Sequence, residues 1–404
     1  MNIYNSFAIV HPSQTKAELD QLPVNQTIGA MLASKKIAIF IQSLTIGGAE
    51  RATLNLIKGL VQQDIHVDLL LANYSGGFLS EVPLEVRIID LKGKRVLFSL
   101  FPLVRYIRAQ HPDTLLAIQT HASLIALWAA VLAGVHTPLI VSQHTTLSAV
   151  KATSPFSRNR LIISLARLFF GYAAAAICVS QGVADDFIKI VGMPHEKTHV
   201  IYNPVVSAGI EQQAHTPISH PWFTHGAFPV ILAVGRLTKA KDYPTLLRAF
   251  SLVFKKQPAH LIILGEGRER TLLEALIEQL GLEDNVQMPG FVANPYAYMA
   301  HARLLVLSSK WEGFGNVLVE AMACGTPVVS TDCRSGPGEI LEHGRFGRLV
   351  QVGDAQALAD AILETLQAPP DQALLRRRAQ DFTLDESVRK YIRVFETCLL
   401  SNDE

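Results

Sequence analysis

Residues 308 to 342 read SSKWEGFGNVLVEAMACGTPVVSTDCRSGPGEILE, and this stretch decides the fold expected of the chain. Its pattern predicts a strand end, a glycine-containing loop, a short helix, a second strand and a second loop. Glu312 precedes the predicted helix, and Glu320 lies about one turn inside it. Because carboxylates accept hydrogen bonds from hydroxyl groups, the layout suits a ligand that carries both sugar hydroxyls and a nucleotide.

The loop between these two glutamates is typical of a phosphate-binding turn. Glycine lets the backbone approach a ligand closely, and the following helix directs free N–H groups and its positive dipole end at the loop. We predict that Glu312 binds sugar hydroxyls and Glu320 a ribose diol; the alternatives are a helix-start charge for Glu312 and an exposed or capped Glu320. The loop residues predicted to bind the diphosphate are Gly313, Phe314, Gly315, Asn316 and Val317.

A second loop, Gly235 to Asp242 (GRLTKAKD), carries two cations after a predicted strand. Arg236 can bind phosphate oxygens through two hydrogen bonds, and Lys241 adds a point charge. A solvated loop at a helix start is the alternative, but its place at the carboxyl end of a strand favours anion binding.

In the first half, Thr45 to Arg51 (TIGGAER) is again a strand end, a glycine loop and a helix start. Gly47 and Gly48 therefore face either the diphosphate or an acceptor from the opposite side, unless they form only a tight turn. His121 follows the predicted strand TLLAIQT, and His144 follows LIVSQ. Either histidine can face a ligand, and the sequence does not decide between them.

Apolar strands alternate with helices twice along the chain, which indicates parallel sheets covered on both faces. The predicted fold class is α/β with two Rossmann-like doubly wound domains that face a central cleft. The predicted divisions are an N-terminal extension at 1–34, an N-terminal domain at 35–208, a linker at 209–228, a C-terminal domain at 229–380 and a C-terminal helix at 381–404 that packs back on the N-terminal domain.

The composition is that of a globular protein, with 49% hydrophobic and 18% charged residues among 404. A net charge of +1 predicts no nucleic-acid partner. The four cysteines show no paired spacing, which favours buried free thiols in a reducing cytosol. The first residues lack a signal-peptide pattern, and the uncharged run from about 122 to 143 is interrupted by glycine and proline, so it predicts no membrane span.

Several motifs of other enzyme classes are missing from the sequence. There is no Asp-x-Asp pair for a metal-bound diphosphate, no Gly-x-Ser-x-Gly and no Walker loop. We therefore expect no metal and no cofactor, with Arg236, Lys241 and a helix dipole neutralising the diphosphate. The segment Gly265 to Arg270 (GEGRER) lacks the third glycine of a dinucleotide fingerprint, so a nicotinamide-dependent oxidoreductase is the weaker alternative.

Taken together, these motifs resemble retaining glycosyltransferases of family 4, which have the GT-B fold. The resemblance rests on Glu312 and Glu320, separated by seven residues within EGFGNVLVEAMACGTPVVSTD, on the GRL and KD elements of residues 235–242, on GGAER and on CRSGPGEIL. It extends from about residue 36 to 395, and the GGAER and CRSGPGEIL stretches resemble bacterial members that build lipopolysaccharide, capsule or other glycans. It also leaves a sugar-nucleotide epimerase or a phosphorylase on the same fold as alternatives, along with a scaffold without activity.

The resemblance implies roles for the candidate residues. Arg236 and Lys241 would stabilise the leaving diphosphate together with Gly235, Gly47 and Gly48. Phe291 and Val292 would lie beside the base of a UDP or GDP donor. His121 or His144 would match the histidine that the family places near the sugar. The SQHTT loop departs from the usual acidic or asparagine-rich version.

The implied reaction is sugar transfer from a nucleotide-diphosphate sugar to a lipid-linked or glycan acceptor. Two stretches that mix cations with large apolar residues, Lys92 to Arg108 and Lys151 to Phe170, predict peripheral contact with an anionic membrane; half-buried helices with solvated arginines are the alternative. The predicted location is the cytoplasm, with peripheral contact at the cytoplasmic face of the inner membrane.

Overall fold

The structure is a computed structural model, and it describes residues 35–149, 157–224, 226 and 228–400. The predicted N-terminal extension, residues 1–34, and the first part of the basic apolar stretch at 151–156 lie outside the described residues.

The N-terminal domain is built on a seven-stranded sheet in the order β3-β2-β1-β4-β5-β6-β7. Every described pairing in it is parallel, which confirms the α/β prediction. The strands are β1 Lys36–Ile41, β2 His66–Leu71, β3 Arg87–Asp90, β4 Thr114–Ile118, β5 Leu139–Gln143, β6 Ala175–Cys178 and β7 Thr198–Val200.

The C-terminal domain repeats the design with a six-stranded parallel sheet in the order β10-β9-β8-β11-β12-β13. Its inner strands are buried along their length, as continuous apolar runs predict. The strands are β8 Val230–Val234, β9 His260–Leu264, β10 Val286–Gly290, β11 Leu304–Leu307, β12 Val328–Thr331 and β13 Arg348–Val350.

Helices cover both faces of each sheet. The α-helices are α1 Gly48–Val61, α2 Leu100–Gln110, α3 Thr120–Ala133, α4 Ser157–Phe169, α5 Gln181–Val191, α6 Ala208–Ala214, α7 Pro221–Thr224, α8 Tyr243–Lys256, α9 Arg270–Gln279, α10 Pro295–His301, α11 Asn316–Ala323, α12 Pro337–Ile340, α13 Ala355–Gln367, α14 Gln372–Ala379 and α15 Leu384–Leu400. Short 3-10 turns occur at Leu79–Glu81, Val96–Ser99, Phe170–Tyr172, His195–Lys197, Lys239–Lys241, Glu342–Gly344 and Gln380–Phe382.

The strand order puts the candidate loops at the point of each sheet where the chain reverses direction across the sheet. In both sheets the chain turns back after three strands, so β1 lies beside β4 and β8 beside β11. Open α/β sheets bind ligands in the crevice at such a switch point, beyond the carboxyl ends of the strands. The glycine loop of residues 47–48 follows β1, whereas loops 235–242 and 308–316 follow β8 and β11.

The C-terminal helix α15 crosses back to the first domain. Val388, Tyr391 and Phe395 are buried in one apolar cluster with Leu54 and Ile57 of α1. The Oγ of Ser387 also donates to the backbone oxygen of Tyr202 at 2.9 Å. Helix α15 thus ties the end of the chain to the N-terminal domain.

Some local features were predicted and others were not. The four cysteines are buried free thiols, as the sequence predicts. Ser180 caps helix α5, its Oγ accepting the Val183 N–H at 3.2 Å. The segment read as a linker contains helices α6 and α7, and β13, α13 and α14 were not predicted. None of the described helices is long and apolar enough to cross a membrane.

Candidate active site

A cavity of about 2070 Å³ lies between the two domains, beyond the carboxyl ends of β1, β4, β5, β8 and β11. The candidate residues come from loops far apart in sequence, and all of them line this one cavity. They are Gly47, Gly48, His121, His144, Gly235, Arg236, Lys241, Phe291, Val292, Glu312, Gly313, Phe314, Gly315, Asn316, Val317 and Glu320.

Lys241 and Glu312 form an ion pair at the centre of the C-terminal wall. The Nζ of Lys241 lies 2.5 Å from Oε1 of Glu312, and the two side chains are 18% and 13% exposed. The Oγ of Ser309 donates to the same carboxylate oxygen at 2.6 Å. Two donors therefore fix the orientation of Glu312, and a cation predicted for the diphosphate touches a carboxylate predicted for the sugar.

The backbone of the Lys241 loop is held by its neighbours. The Oγ of Ser308 donates to the Lys241 carbonyl at 2.7 Å. Buried Asp242, in the left-handed region with φ 45°, pairs with Lys310 at 3.1 Å and accepts the Thr245 hydroxyl at 2.8 Å. These contacts fix Lys241 in place relative to Glu312 because they join the β8 and β11 loops directly.

Glu320 lies on α11 in a poorly solvated part of the cavity. Burial raises its pKa to about 7, although Arg51 and Lys241 favour the ionised form. Burial, followed by the nearby charge of Glu320, raises the pKa of the Tyr296 hydroxyl. A carboxyl group of this kind can both accept and donate hydrogen bonds near neutral pH, which suits the hydroxyls of a ribose.

Arg51 reaches this region from the N-terminal domain. Its guanidinium lies 3.9 Å from the centre of the Phe78 ring and donates to Glu81 at 2.6 Å. Arg51, Phe78 and Glu81 line the cavity with Glu320. Sequence reasoning missed Arg51 although it belongs to the quoted GGAER motif, because only the packing of the two domains brings it near Glu320.

The side chain of Glu50 lies against the glycine loop of the N-terminal wall. One carboxylate oxygen of Glu50 lies 2.4 Å from the position that a Cβ on Gly47 would occupy. Burial raises the pKa of Glu50, while its own backbone N–H, Arg236 across the cleft and the Gln119 side chain favour ionisation. Gln119, at the end of β4, has φ 72° and ψ 153°, a strained backbone for a side-chain-bearing residue. Neither Glu50 nor Gln119 was a predicted ligand-binding residue.

Both candidate histidines reach the cavity, and they differ in environment. His121 is exposed in the first turn of α3. His144 is half-buried, with Nε2 3.1 Å from the Ser142 hydroxyl, and burial lowers its pKa to about 4. Its Nδ1 has no hydrogen-bond partner among the described residues. His144 is therefore neutral near pH 7, and the choice between the two histidines stays open.

The loop of residues 308–316 contacts the N-terminal domain directly. A Cβ on Gly313 would lie 2.0 Å from the His144 carbonyl oxygen, so only glycine fits there. The next glycine, Gly315, has φ 103° and precedes helix α11. Asn316 accepts from the Asn203 amide at 2.8 Å and donates to the Gly48 carbonyl at 3.2 Å.

Phe291 and Val292 form the far wall of the cavity, after β10, where Phe291 is 52% exposed. The GEGRER segment forms a strand-to-helix turn in which Arg270 pairs with Glu266 and Glu274. Among the described residues no group of three or more His, Cys, Asp or Glu side chains is arranged to hold a metal ion.

Two family profiles match the chain, one on each domain. The family described as "Glycosyltransferase Family 4" matches residues 46–208, and "Glycosyl transferases group 1" matches residues 221–382. Among curated proteins, the chain is 31% identical over 345 residues to N-acetylgalactosamine-N,N'-diacetylbacillosaminyl-diphospho-undecaprenol 4-alpha-N-acetylgalactosaminyltransferase of Campylobacter jejuni, covering 82% of this chain and 90% of that protein. A Rhizobium meliloti lipopolysaccharide core glycosyltransferase, LpsE, is 35% identical over 38% of this chain and 43% of its own.

Solved structures give the same result for the fold. Anabaena HepE in complex with UDP-glucose matches with a TM-score of 0.72 and 26% identity, over 91% of this chain and 99% of HepE. WaaG, a glycosyltransferase involved in lipopolysaccharide biosynthesis, matches with a TM-score of 0.70 and 17% identity, over 89% and 99% of the two chains. The predicted GT-B architecture is confirmed, and the oxidoreductase alternative finds no support in these similarities.

Proposed function

Because the chain belongs to glycosyltransferase family 4, we propose that it moves a sugar from a UDP-sugar to a lipid-linked or glycan acceptor in the synthesis of a bacterial surface glycan. The observation that carries the proposal is the C-terminal wall of the cleft. Arg236, Lys241, Glu312 and Glu320 lie there around the start of helix α11, opposite the Gly47–Gly48 loop. UDP is favoured over GDP because HepE was solved with UDP-glucose.

The proposed reaction breaks the bond between the sugar C1 and the departing phosphate oxygen and forms a bond from C1 to the acceptor oxygen. The acceptor attacks from the face that the phosphate leaves, so the anomeric configuration is retained. Its proton passes to the departing phosphate. The chain's part is to position the reactants and to stabilise charge.

Each side chain has a task that follows from its contacts. Arg236, Lys241 and the first N–H groups of α11 stabilise the negative charge that grows on the diphosphate. Glu312, oriented by Lys241 and Ser309, accepts hydrogen bonds from the sugar. Glu320 binds the ribose, and neither glutamate acts as a covalent nucleophile.

We propose that no metal takes part, since these cations supply positive charge where the diphosphate would lie. Turnover should persist in excess EDTA and should not rise on adding Mg²⁺ or Mn²⁺. Product anomeric configuration, read by NMR coupling constants, tests retention. An inverted product would rule out the same-face mechanism.

Glu312→Ala and Lys241→Ala test the site assignment, with Glu283→Ala, an exposed residue of the same domain, as the matched control. We expect transfer to fall by about 10²–10³-fold in the first two variants and to be unchanged in the third. A thermal-shift panel of UDP, GDP and NAD comes first, and UDP should stabilise the chain most. Folded Glu312→Ala and Lys241→Ala proteins with full activity would refute the proposal.

We further propose that the N-terminal domain lies on the cytoplasmic face of the inner membrane. Helices α2, α3 and α4 pack side by side and expose large apolar residues next to arginines. The most exposed apolar residues of these helices and of the adjoining 3-10 turns are Phe98, Phe101, Val131, Leu161, Leu168 and Tyr172. This basic apolar face suits anionic lipid because apolar groups enter the interface while cations meet the head groups.

The membrane proposal is tested by sedimentation with vesicles. The wild type should pellet with phosphatidylglycerol-containing vesicles and not with pure phosphatidylcholine. Phe98→Glu with Phe101→Glu should abolish pelleting and leave UDP binding unchanged. Equal pelleting of both proteins would show that this face does not bind the membrane.

A further inference from the structure

The start of helix α5, in the N-terminal domain, receives a carboxylate from the other domain. The Oε2 of Glu339 accepts the Gln181 N–H at 2.7 Å, and Oε1 accepts the Gly182 N–H at 3.0 Å. The third N–H of the helix, on Val183, is bonded to the Ser180 hydroxyl. The first N–H groups of a helix have no partner within the helix. Glu339 of the C-terminal domain therefore caps a helix that belongs to the N-terminal domain.

Glu339 is fixed within the C-terminal domain. The guanidinium of Arg378 donates to the carbonyl oxygens of Glu339 at 2.7 Å and of Ile340 at 2.9 Å. It also lies 4.9 Å from the centre of the Phe382 ring. Arg378 therefore fixes the segment that carries the carboxylate, and the contact of Glu339 with α5 joins the two domains.

The contact between Glu339 and α5 lies beside the loop of residues 308–316, which is called the donor loop below. Ser180, which caps α5, donates to the carbonyl oxygen of Gly313 at 2.7 Å. Tyr202 of the N-terminal domain stacks on Phe314 of the loop, with ring centres 5.4 Å apart and planes 27° apart. Burial, followed by the charge and hydrogen bond of Glu339, raises the pKa of Tyr202, which places the hydroxyl beside that carboxylate.

We propose that Glu339 is a positioning residue for the transfer reaction: it latches the domains together at the start of α5 and so places the donor loop against the N-terminal wall. It does not line the cavity in which the proposed donor would lie. Instead, it sets how often Gly313 and Phe314 lie where Gly47, Gly48 and His144 can complete the site. This inference rests on the proposed function for its kinetic effects but not for its effect on domain arrangement.

The test compares Glu339→Ala and Glu339→Gln with Asp354→Ala. Asp354 caps helix α13 by accepting the Ala357 N–H at 2.9 Å, so its loss removes a helix cap within one domain. Tyr202→Phe is a milder variant that keeps the ring stack and removes one donor to Glu339. Melting by circular dichroism and UDP-binding stoichiometry give the folded fraction of each protein.

We expect Glu339→Ala to lower kcat/KM by about 10–100-fold per folded molecule, because charge-assisted hydrogen bonds to two N–H groups are lost. Glu339→Gln should fall between it and the wild type, since one amide oxygen can still accept. Small-angle scattering of the full chain should show a larger radius of gyration for Glu339→Ala. Asp354→Ala should melt earlier, with kcat, KM and radius of gyration unchanged.

A merely structural role for Glu339 predicts a lower melting temperature with unchanged kcat, KM and radius of gyration, as in the control, and that result would overturn the proposal. The scattering measurement needs no activity. Suppose that the wild type binds UDP but transfers no sugar, while Glu339→Ala still has the larger radius of gyration. That result would refute the proposed function and support the role of Glu339 in holding the domains together.

Discussion

Replacing Glu320 by glutamine should stabilise the chain and weaken its hold on UDP. The folded-state pKa of Glu320 is raised from 4.5 to about 7 because the carboxyl is poorly solvated. Between these two values the folded chain keeps a proton that the unfolded chain has released. Stability therefore falls as pH rises through this window, and glutamine, neutral throughout, avoids that loss.

The size of the effect follows from the difference between the folded-state and unfolded-state pKa of Glu320. A tenfold change in a proton-binding constant corresponds to about 1.4 kcal/mol, so ionised Glu320 costs the folded state about 3 kcal/mol well above pH 7. At pH 5 most of that cost is absent. The free energy of unfolding of Glu320→Gln should exceed that of the wild type by about 2–3 kcal/mol more at pH 8 than at pH 5.

Urea unfolding followed by tryptophan fluorescence at pH 5, 6, 7 and 8 measures this difference. Exposed Glu278→Gln, in helix α9, is the matched control and should show no such trend. Calorimetric titration at pH 8 should give roughly tenfold weaker UDP binding for Glu320→Gln, since a charge-assisted hydrogen bond becomes a neutral one. A wild-type-minus-variant difference that stays constant from pH 5 to 8 would show that Glu320 ionises freely in the folded chain.

Three further outcomes are expected. Lys241→Ala should lower kcat by about 10²–10³-fold with little change in the acceptor KM, since the lost charge acts on the leaving diphosphate; steady-state turnover measures this. Gly313→Ala should destabilise the chain by roughly 1–3 kcal/mol and lower kcat, because its Cβ would meet the His144 carbonyl at 2.0 Å; urea unfolding and turnover check both. The four buried thiols, whose pKa values burial raises, should not react with a disulfide reagent at pH 8 until guanidinium is added, as thiol counting will show.

The fold could be predicted in outline because its signals are local. Continuous apolar strands, the glycines after them and the Ser180 cap each depend on a few neighbouring residues. The short strand Arg348–Val350 was not predicted because its residues are half-buried or exposed and form no apolar run. Helices α6 and α7 were not predicted because they are short and bury few side chains, so the sequence shows no helical hydrophobic period there.

The site could be predicted as a set of residues but not as a set of contacts. Lys241 and Glu312 are 71 residues apart, and nothing local in either segment indicates that they pair. Arg51 near Glu320, and Glu339 on helix α5, depend on how two domains meet. Sequence pattern describes each domain separately, so contacts across the cleft have no signature in it.

The pairing of Lys241 with Glu312 links the two halves of the proposed donor site. The Nζ of Lys241 lies 2.5 Å from Oε1 of Glu312, and the Ser309 hydroxyl donates to the same oxygen. On our proposal an arriving diphosphate competes for Lys241, and each ion that loses its partner in a poorly solvated site must gain another. Lys241 then pairs with the phosphate in place of Glu312, and Glu312 accepts hydrogen bonds from sugar hydroxyls in place of Lys241. A nucleotide without its sugar can pair only with Lys241, so the Lys241–Glu312 ion pair favours the intact donor over the free diphosphate.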